Sequence, residues 1–210
     1  MRIAILTCDK YNWLIPYFWH FFKKNFPDNP YPVDFVTETE EVCFGNNMFY
    51  GGKVPWSTLL RNYLSTVKDD RILILLDDYI ILGANLELLE IAEGKCKDDI
   101  GCINLYPYDA NLMLPTMRDD KYSVYNFNKT RTIGVQATIW QTQYLLDVYP
   151  VGLNPWDSEY KGYSNMQKLY FAHNKQILFS PYWIFSYTLG GCMKKGIRQQ
   201  KVWNDIKEKW

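Results

Sequence analysis

Two adjacent acidic residues, Asp77 and Asp78, lie within the most hydrophobic stretch of the chain, ILILLDDYIIL at residues 72–82. An ionised carboxylate is costly to bury without a partner. The run of Ile and Leu therefore predicts a buried strand that carries the acids at its carboxyl end. Ligands of open α/β sheets bind beyond such ends. Paired carboxylates there could bind Mg²⁺ or Mn²⁺, although a helix cap or a turn with one acid in an ion pair is equally open.

A second group of chemically capable residues lies in NPWDSEY, at residues 154–160. We predict an extended segment, in which Asp157 and Glu159 would project on the same side. A neighbouring indole raises the pKa of a carboxyl by desolvation, as a general base requires, and Trp156 could also offer a face on which a sugar packs. The alternative is that Asp157 caps the helix that follows.

Several single polar residues could complete a site, and each has a simpler explanation. Gln136, inside the apolar run GVQATIW, could donate to sugar hydroxyls or could face outward from a strand. His173 could be a third metal ligand or a phosphate contact, or it could be a solvated histidine. The cationic residues Lys194, Lys195 and Arg198 could close over a diphosphate or form a solvated basic tail.

The elements that must position these residues follow an α/β pattern. Apolar runs predict strands at 2–7, 33–37, 71–76 and 100–106, and amphipathic segments predict helices at 13–26, 56–67 and 84–94, the last stopped by Gly94. A loop is predicted between the second strand and Gly52. Strands that alternate with helices imply parallel pairing in a layered α/β domain.

The second half of the chain has a different pattern. Short strands are predicted in YSVYNF and VQATIW, and helices at 144–149 and 163–172. QILFSPYWIFSYTL is expected to form a final strand pair around Pro181, followed by a basic tail.

Bulk composition excludes several classes of function. The 210 residues suit one domain, and 23 basic residues balance 23 acidic ones, which leaves no excess charge for a nucleic-acid backbone. The five cysteines are odd in number and include no CxxC, so we expect reduced thiols rather than a disulfide or metal framework. No stretch is long enough to span a bilayer and none is typical of a signal peptide, so we expect a cytoplasmic protein.

Several segments together resemble the GT-A nucleotide-sugar glycosyltransferases, particularly small bacterial and viral members. IAILTCDKY resembles their first nucleotide-binding strand and loop, and PWSTLLRNYL before RILILLDDYIIL resembles the helix and strand that present the Asp-x-Asp metal motif. VQATIWQTQYLL and NPWDSEY resemble the donor-sugar and acceptor segments. The chain departs from the motif because Tyr79 stands where a further acid would be.

The resemblance implies a three-layer α/β/α domain over residues 1–210, with a mostly parallel central sheet and a small antiparallel element. Residues 1–105 would form the nucleotide-binding half and residues 106–210 the acceptor and donor-sugar half. Asp78, with Asp77, would bind Mn²⁺ or Mg²⁺, and Glu159 would act as catalytic base while Asp157 binds acceptor hydroxyls. The implied nucleotide-sugar contacts are Thr7, Cys8, Asp9, Tyr11, Thr37, Ser57, Arg61, Asp77, Gln136 and Trp156. For Arg61 a structural ion pair is the alternative.

The predicted function is therefore a metal-dependent, inverting glycosyltransferase of polysaccharide biosynthesis, with a UDP- or dTDP-sugar donor and a saccharide or glycan acceptor. The alternative is a non-catalytic nucleotide- or carbohydrate-binding domain in a polysaccharide-synthesis system. A phosphatase or nucleotidyltransferase that uses the paired acids is a third possibility, which lacks a second acidic cluster for a two-metal site.

Overall fold

The first half of the chain contributes four parallel strands to one side of a large sheet. The computed structural model describes residues 1–105, 113–118, 122–125, 136–180, 182–188, 191, 193–194 and 197–209. The four strands are β1 (Arg2–Leu6), β2 (Val33–Thr37), β3 (Asn47–Tyr50) and β4 (Arg71–Leu76). Strand β3 lies in the segment predicted to be a loop, where it pairs with β2 at the edge of the sheet.

The remaining strands are β5 (Ile81–Ala84), β6 (Ile100–Asn104), β7 (Met113–Arg118), β8 (Tyr122–Tyr125), β9 (Thr138–Gln141), β10 (Gln176–Phe179), β11 (Phe185–Tyr187), β12 (Met193–Lys194) and β13 (Ile197–Arg198). The main sheet has the order β3-β2-β1-β4-β9-β6-β10-β8-β7. Only β8 and β9 run against the other seven strands, so the predicted mostly parallel sheet is confirmed. Strand β9 comes from the second half of the chain and lies between β4 and β6, so both halves share one sheet.

Helices cover both faces of this sheet. They are α1 (Ile15–Asn25), α2 (Trp56–Leu64), α3 (Leu86–Lys95), α4 (Thr142–Val148), α5 (Pro155–His173) and α6 (Gln200–Lys209), and a 3₁₀ turn spans Asp9–Leu14. Alternate residues of β1 enter two separate cores: Ile3 and Ile5 pack with α1, whereas Ala4 and Leu6 pack with α2 and α4. Because both faces of the sheet are covered by helices, successive strand residues are apolar although they point in opposite directions, and central strands are therefore nearly continuous apolar runs. The predicted three layers are confirmed.

Some element predictions were wrong. Helix α5 begins at Pro155 rather than near Tyr163, because Asn154 caps it and a proline is well tolerated in a first helical turn. The predicted pair around Pro181 does not form: β10 joins β6 in the main sheet, and β11 pairs with β5. Helix α3 continues through Gly94 to Lys95.

The basic tail also contains regular structure, the β12–β13 pair and helix α6. Helix α6 is amphipathic and buries Trp203 and Ile206 beside α1. Pro181, Cys192 and Lys195, and the side chain of Lys194, lie outside the described residues. Within the described ranges, no helix is both long and apolar enough to cross a membrane, and Cys8, Cys43, Cys96 and Cys102 are free thiols.

Candidate functional site

The acid pair lies where β4 leaves the sheet, as the hydrophobic run predicted. Strand β4 ends at Leu76, and Asp77 and Asp78 begin the turn that follows. Leu76 is in register with Leu6 of β1, so the residues that follow each strand lie side by side. The hydroxyl of Thr7 consequently donates a hydrogen bond of 2.6 Å to Asp77 Oδ2.

Burial changes the protonation of both acids. Asp77 is 4% exposed, and desolvation together with the charge of Asp78 raises its pKa to about 8, against the opposing hydrogen bond from Thr7. Burial raises the pKa of Asp78 to about 6. In the described part of the chain, no lysine or arginine forms an ion pair with Asp77. A bound cation would therefore favour the ionised form of the pair.

Gln136 lies against the same strand end. Its Oε1 accepts a 2.7 Å hydrogen bond from the backbone N–H of Leu76, the residue before the acids. The side chain is 9% exposed, and its Nε2 is buried without a partner among the described residues. The next residue, Ala137, has a φ of 43°, an unusual backbone conformation for alanine. The interpretation of Gln136 as an outward-facing residue is therefore wrong, because its amide is held inside the site.

The C-terminal part of the chain also reaches this site, which the sequence did not predict. The backbone N–H of Thr188 donates to the carbonyl of Ile80 at 3.1 Å. A Cβ placed on Gly191 would lie 2.6 Å from Asp78 Oδ2. Only glycine allows the chain to approach the carboxylate so closely. The pair of adjacent glycines at 190–191 was a sequence signal for an unusual backbone approach, but nothing in the neighbouring sequence indicated that the approach is to Asp78.

The loop after β1 is held mainly by Asp9. The Asp9 carboxylate accepts hydrogen bonds from the hydroxyl of Thr39 at 2.5 Å and from the backbone N–H groups of Thr39 and Glu40. The Thr39 hydroxyl is the main cause of its lowered pKa. Asp9 thus joins this loop to the segment after β2. Burial raises the pKa of Cys8 to about 11, which keeps it a neutral thiol. Burial also raises the pKa of Tyr11.

Two predicted nucleotide contacts are instead buried structural groups. Thr37 is fully buried, and its hydroxyl donates to the carbonyl of Glu40. Ser57 is also fully buried: its Oγ accepts from the N–H of Leu153 at 2.9 Å, and its own N–H donates to the Leu153 carbonyl. These bonds fix a loop and the start of α2, and they leave neither hydroxyl at the surface of the site.

Arg61 was predicted to contact a base or the acid pair, and in the structure its guanidinium binds the end of α4. Its guanidinium donates to the carbonyls of Leu146 and Tyr149, the latter at 3.0 Å. Both carbonyls belong to the end of α4, where the last carbonyl groups of a helix lack partners within the helix and a cation is favourable. Arg61 therefore caps the C-terminal end of α4, and this role takes the place of the structural ion pair considered as the alternative.

The two acids of NPWDSEY do not share a face, because the segment is helical. Successive helical residues turn by about 100°, so residues two apart point in nearly opposite directions. The carboxylate of Asp157 accepts from Asn154 Nδ2 at 2.7 Å, while Asn154 Oδ1 accepts from the Asp157 N–H, so the pair caps the helix reciprocally. Glu159 is half-buried, and burial raises its pKa. Trp156 is largely exposed.

The other candidate ligands lie elsewhere. His173 ends α5 just before β10 begins, and β10 runs in the same direction as β4. His173 therefore lies at the edge of the sheet opposite to the acids, and its prediction as a third metal ligand was wrong. The guanidinium of Arg198 stacks on Trp13 at 4.2 Å and on Trp203 at 4.9 Å from the ring centroids, which anchors the C-terminal segment to the 3₁₀ turn Asp9–Leu14.

The acid pair fits a hard divalent cation when a ligand completes the coordination shell. Mg²⁺ is usually held by one or two carboxylates together with substrate phosphates and waters. Asp77 and Asp78 supply such carboxylates, and the chain at Gly191 packs so closely on Asp78 Oδ2 that no larger side chain fits there. Within the described ranges, no group of three His, Cys, Asp or Glu side chains could hold a metal ion by itself.

The chain matches no protein-family model and no curated protein sequence. Solved structures do share its fold. CMP:2-keto-3-deoxy-manno-octonic acid synthetase complexed with CTP superposes with a TM-score of 0.60 at 13% identity, over 99% of this chain and 96% of that chain. S. aureus TarS 1–349 in complex with UDP-GlcNAc superposes with a TM-score of 0.54 at 14% identity, over 89% of this chain.

This chain spans 58% of that TarS chain. These neighbours were solved with CTP and with UDP-GlcNAc. At these identities the comparison concerns the fold, and the predicted GT-A-type fold is confirmed.

Proposed function

We propose that the chain is a glycosyltransferase that moves a sugar from a nucleotide-diphosphate donor to a saccharide acceptor. The fold supports this proposal, because proteins of similar fold have been solved with CTP and with UDP-GlcNAc. The acid pair supports it more directly, because it lies beyond the carboxyl end of a central strand, where ligands of open α/β sheets bind.

One observation carries the proposal. The buried carboxyl of Asp77, the partly buried carboxyl of Asp78 and the buried amide of Gln136, whose Nε2 has no partner in the described part of the chain, meet at a single strand end. Buried polar groups are normally hydrogen-bonded, so this amide is best explained as a donor to a ligand oxygen. The carboxyl of Asp77, which forms no ion pair with a described lysine or arginine, and the amide donor of Gln136 together suit a cation-bound diphosphate.

The proposed roles follow from these positions. Asp77 and Asp78 would hold Mn²⁺ or Mg²⁺, which when bound would supply positive charge beside the donor diphosphate. Thr7 orients Asp77 through its hydrogen bond, and Gln136 donates to an oxygen of the donor. Glu159 remains our candidate general base for an inverting reaction, since burial raises its pKa towards the useful range.

Calorimetric titration with UDP, with and without Mn²⁺, tests donor binding. We expect binding that depends on the cation and is lost in Asp78→Asn. Asp70→Asn is the matched control, because Asp70 is an exposed acid at the opposite end of the same strand. Equal UDP binding by the two variants, or no UDP binding by the unmodified chain, would contradict the proposal.

The base assignment has a separate test. Glu159→Gln should abolish sugar transfer while donor affinity stays unchanged, because a general base acts on the acceptor hydroxyl and not on donor binding. Asp157→Asn provides the comparison, since the capping position of Asp157 predicts a loss of helix stability rather than of catalysis. Retained turnover in Glu159→Gln would remove Glu159 from this role.

A non-catalytic nucleotide-binding domain is the second candidate. The lack of a third metal-ligating side chain among the described residues favours it. Slow hydrolysis of a UDP- or dTDP-sugar without acceptor separates the two, because transferases release free sugar whereas a pure binder does not. Pyrophosphate release from CTP in the presence of a free sugar would instead indicate nucleotidyl transfer.

A further inference from the structure

Helix α5 exposes large aromatic side chains on the face that points away from the sheet. Its buried side is narrow and formed by the small or flexible residues Ser158, Gly162 and Met166. On the outer side, Trp156 is 60% exposed, Tyr160 63% and Phe171 71%. Scattered surface aromatics are ordinary, but several on one face of one helix are typical of an interaction surface.

These aromatic residues form a continuous stripe. At about 100° per residue, Trp156, Tyr160, Ser164, Gln167 and Phe171 fall within an arc of about 80°. Their spacing of four, four, three and four residues is that of a helix-pairing seam, and the stripe is about 22 Å long. Its ends are aromatic, whereas Ser164 in the centre is small enough to allow close approach of a second helix.

Charges beside the stripe show which partner fits. Asp157 lies at the N-terminal end of one flank, and Lys161 and Lys168 lie further along the same flank. In two parallel copies the flanks that carry Asp157 and Lys168 lie on opposite sides of the seam and do not meet. Two antiparallel copies place the acid of each helix near the Lys168 of the other. The charges of this flank thus favour the antiparallel orientation.

We propose that the α5 stripe is a self-association surface, on which a second copy of this chain packs its own α5 antiparallel about a two-fold axis near Ser164. In this register Phe171 of each copy lies against Trp156 of the other, and Gln167 lies opposite Tyr160. Such an isologous contact closes on itself and produces a dimer rather than a filament. This proposal does not depend on the proposed catalytic function.

The expected dimer is weak. Aromatic side chains bury roughly 150–250 Å² each, so the exposed parts of three of them supply roughly 400 Å² per copy. Stable interfaces bury about 800 Å² per partner, and the flanking residues provide only part of the difference. We therefore expect reversible dimerisation that rises with protein concentration.

Sedimentation equilibrium of the full chain tests the surface. We expect a monomer–dimer equilibrium that Phe171→Glu weakens at least about tenfold. The matched control Tyr50→Glu, which makes the same kind of change on exposed strand β3, should leave association unchanged. Added salt should weaken the dimer, because the antiparallel register pairs opposite charges.

Cross-linking tests the register independently. In a Cys43→Ser background, Ser164→Cys should form a disulfide-linked dimer on mild oxidation, because each cysteine lies near its own mate at the two-fold axis. Ser65→Cys, at the exposed end of α2, should not. A monomer at every concentration, equal association of the Phe171 and Tyr50 variants, dimers strengthened by salt, or equal cross-linking of Ser164→Cys and Ser65→Cys would overturn the proposal.

Discussion

The buried carboxyl of Asp77 should make the stability of the fold depend on pH. We expect Asp77→Asn to be more stable than the unmodified chain, and increasingly so as pH rises. An amide has nearly the same shape as a protonated carboxyl and can still accept the hydrogen bond from Thr7. The substitution therefore removes a buried charge with little change in packing.

The magnitude follows from the shifted titration. Burial raises the pKa of Asp77 from 3.8 to about 8. Between these values the folded protein keeps a proton that the unfolded chain has released, so the folded state loses stability as pH rises through this range. The complete shift corresponds to roughly 6 kcal/mol. Relaxation around the buried site lowers this value, and we expect the advantage of Asp77→Asn to grow by about 2–4 kcal/mol between about pH 5 and pH 8.

Urea unfolding in the presence of a chelator measures this effect, because the chelator removes cations that would bind the ionised pair. The free energy of unfolding is compared at both pH values for the unmodified chain, Asp77→Asn and the exposed control Asp70→Asn. The control should follow the unmodified chain. If Asp77→Asn follows it as well, then Asp77 is already ionised at neutral pH, and the argument from burial is wrong.

Other predictions test single contacts. Gly191→Ala should weaken cation-dependent UDP binding at least about tenfold, measured by calorimetry, because the added methyl group would displace Asp78. The control Gly94→Ala, where a Cβ meets nothing within 4 Å, should leave UDP binding unchanged. Gly162→Ala should destabilise the fold by about 1–3 kcal/mol in urea unfolding, because its Cβ would lie 2.4 Å from the buried ring of Tyr149. Arg61→Met should lower stability by about 1–3 kcal/mol through lost capping of α4 and leave UDP affinity unchanged; reduced affinity at full stability would restore its predicted ligand role.

The central strands were predictable because their signal is local. β1, β4 and β6 are largely apolar runs, and two-sided burial in a mostly parallel sheet requires such runs. The start of α5 was missed although its signal was also local, since Asn154 followed by Pro155 is a cap followed by a favoured first residue. That misreading placed Asp157 and Glu159 on one side, which helical geometry does not allow.

Other errors had no local remedy. Strand β3 is short and at an edge, so its residues need not be apolar on both sides. Arg61 was assigned to the acid pair because it precedes β4 in the chain, but the partners of a long side chain depend on which helix packs beside it. His173 likewise lies at the sheet edge opposite to the acids. Its place depends on the direction in which β10 runs, which the sequence around His173 does not indicate.

The sequence by itself determined that two acids stand at the end of a buried strand, because an apolar run cannot hold unpaired charges in its middle. It also determined the alternation of strands and helices, which limits the fold to a layered α/β domain. Only the tertiary structure decided which groups meet those acids. Thr7, Gln136 and Gly191 are distant along the chain, and they converge on Asp77 and Asp78 because strand order and crossover connections depend on packing between distant segments.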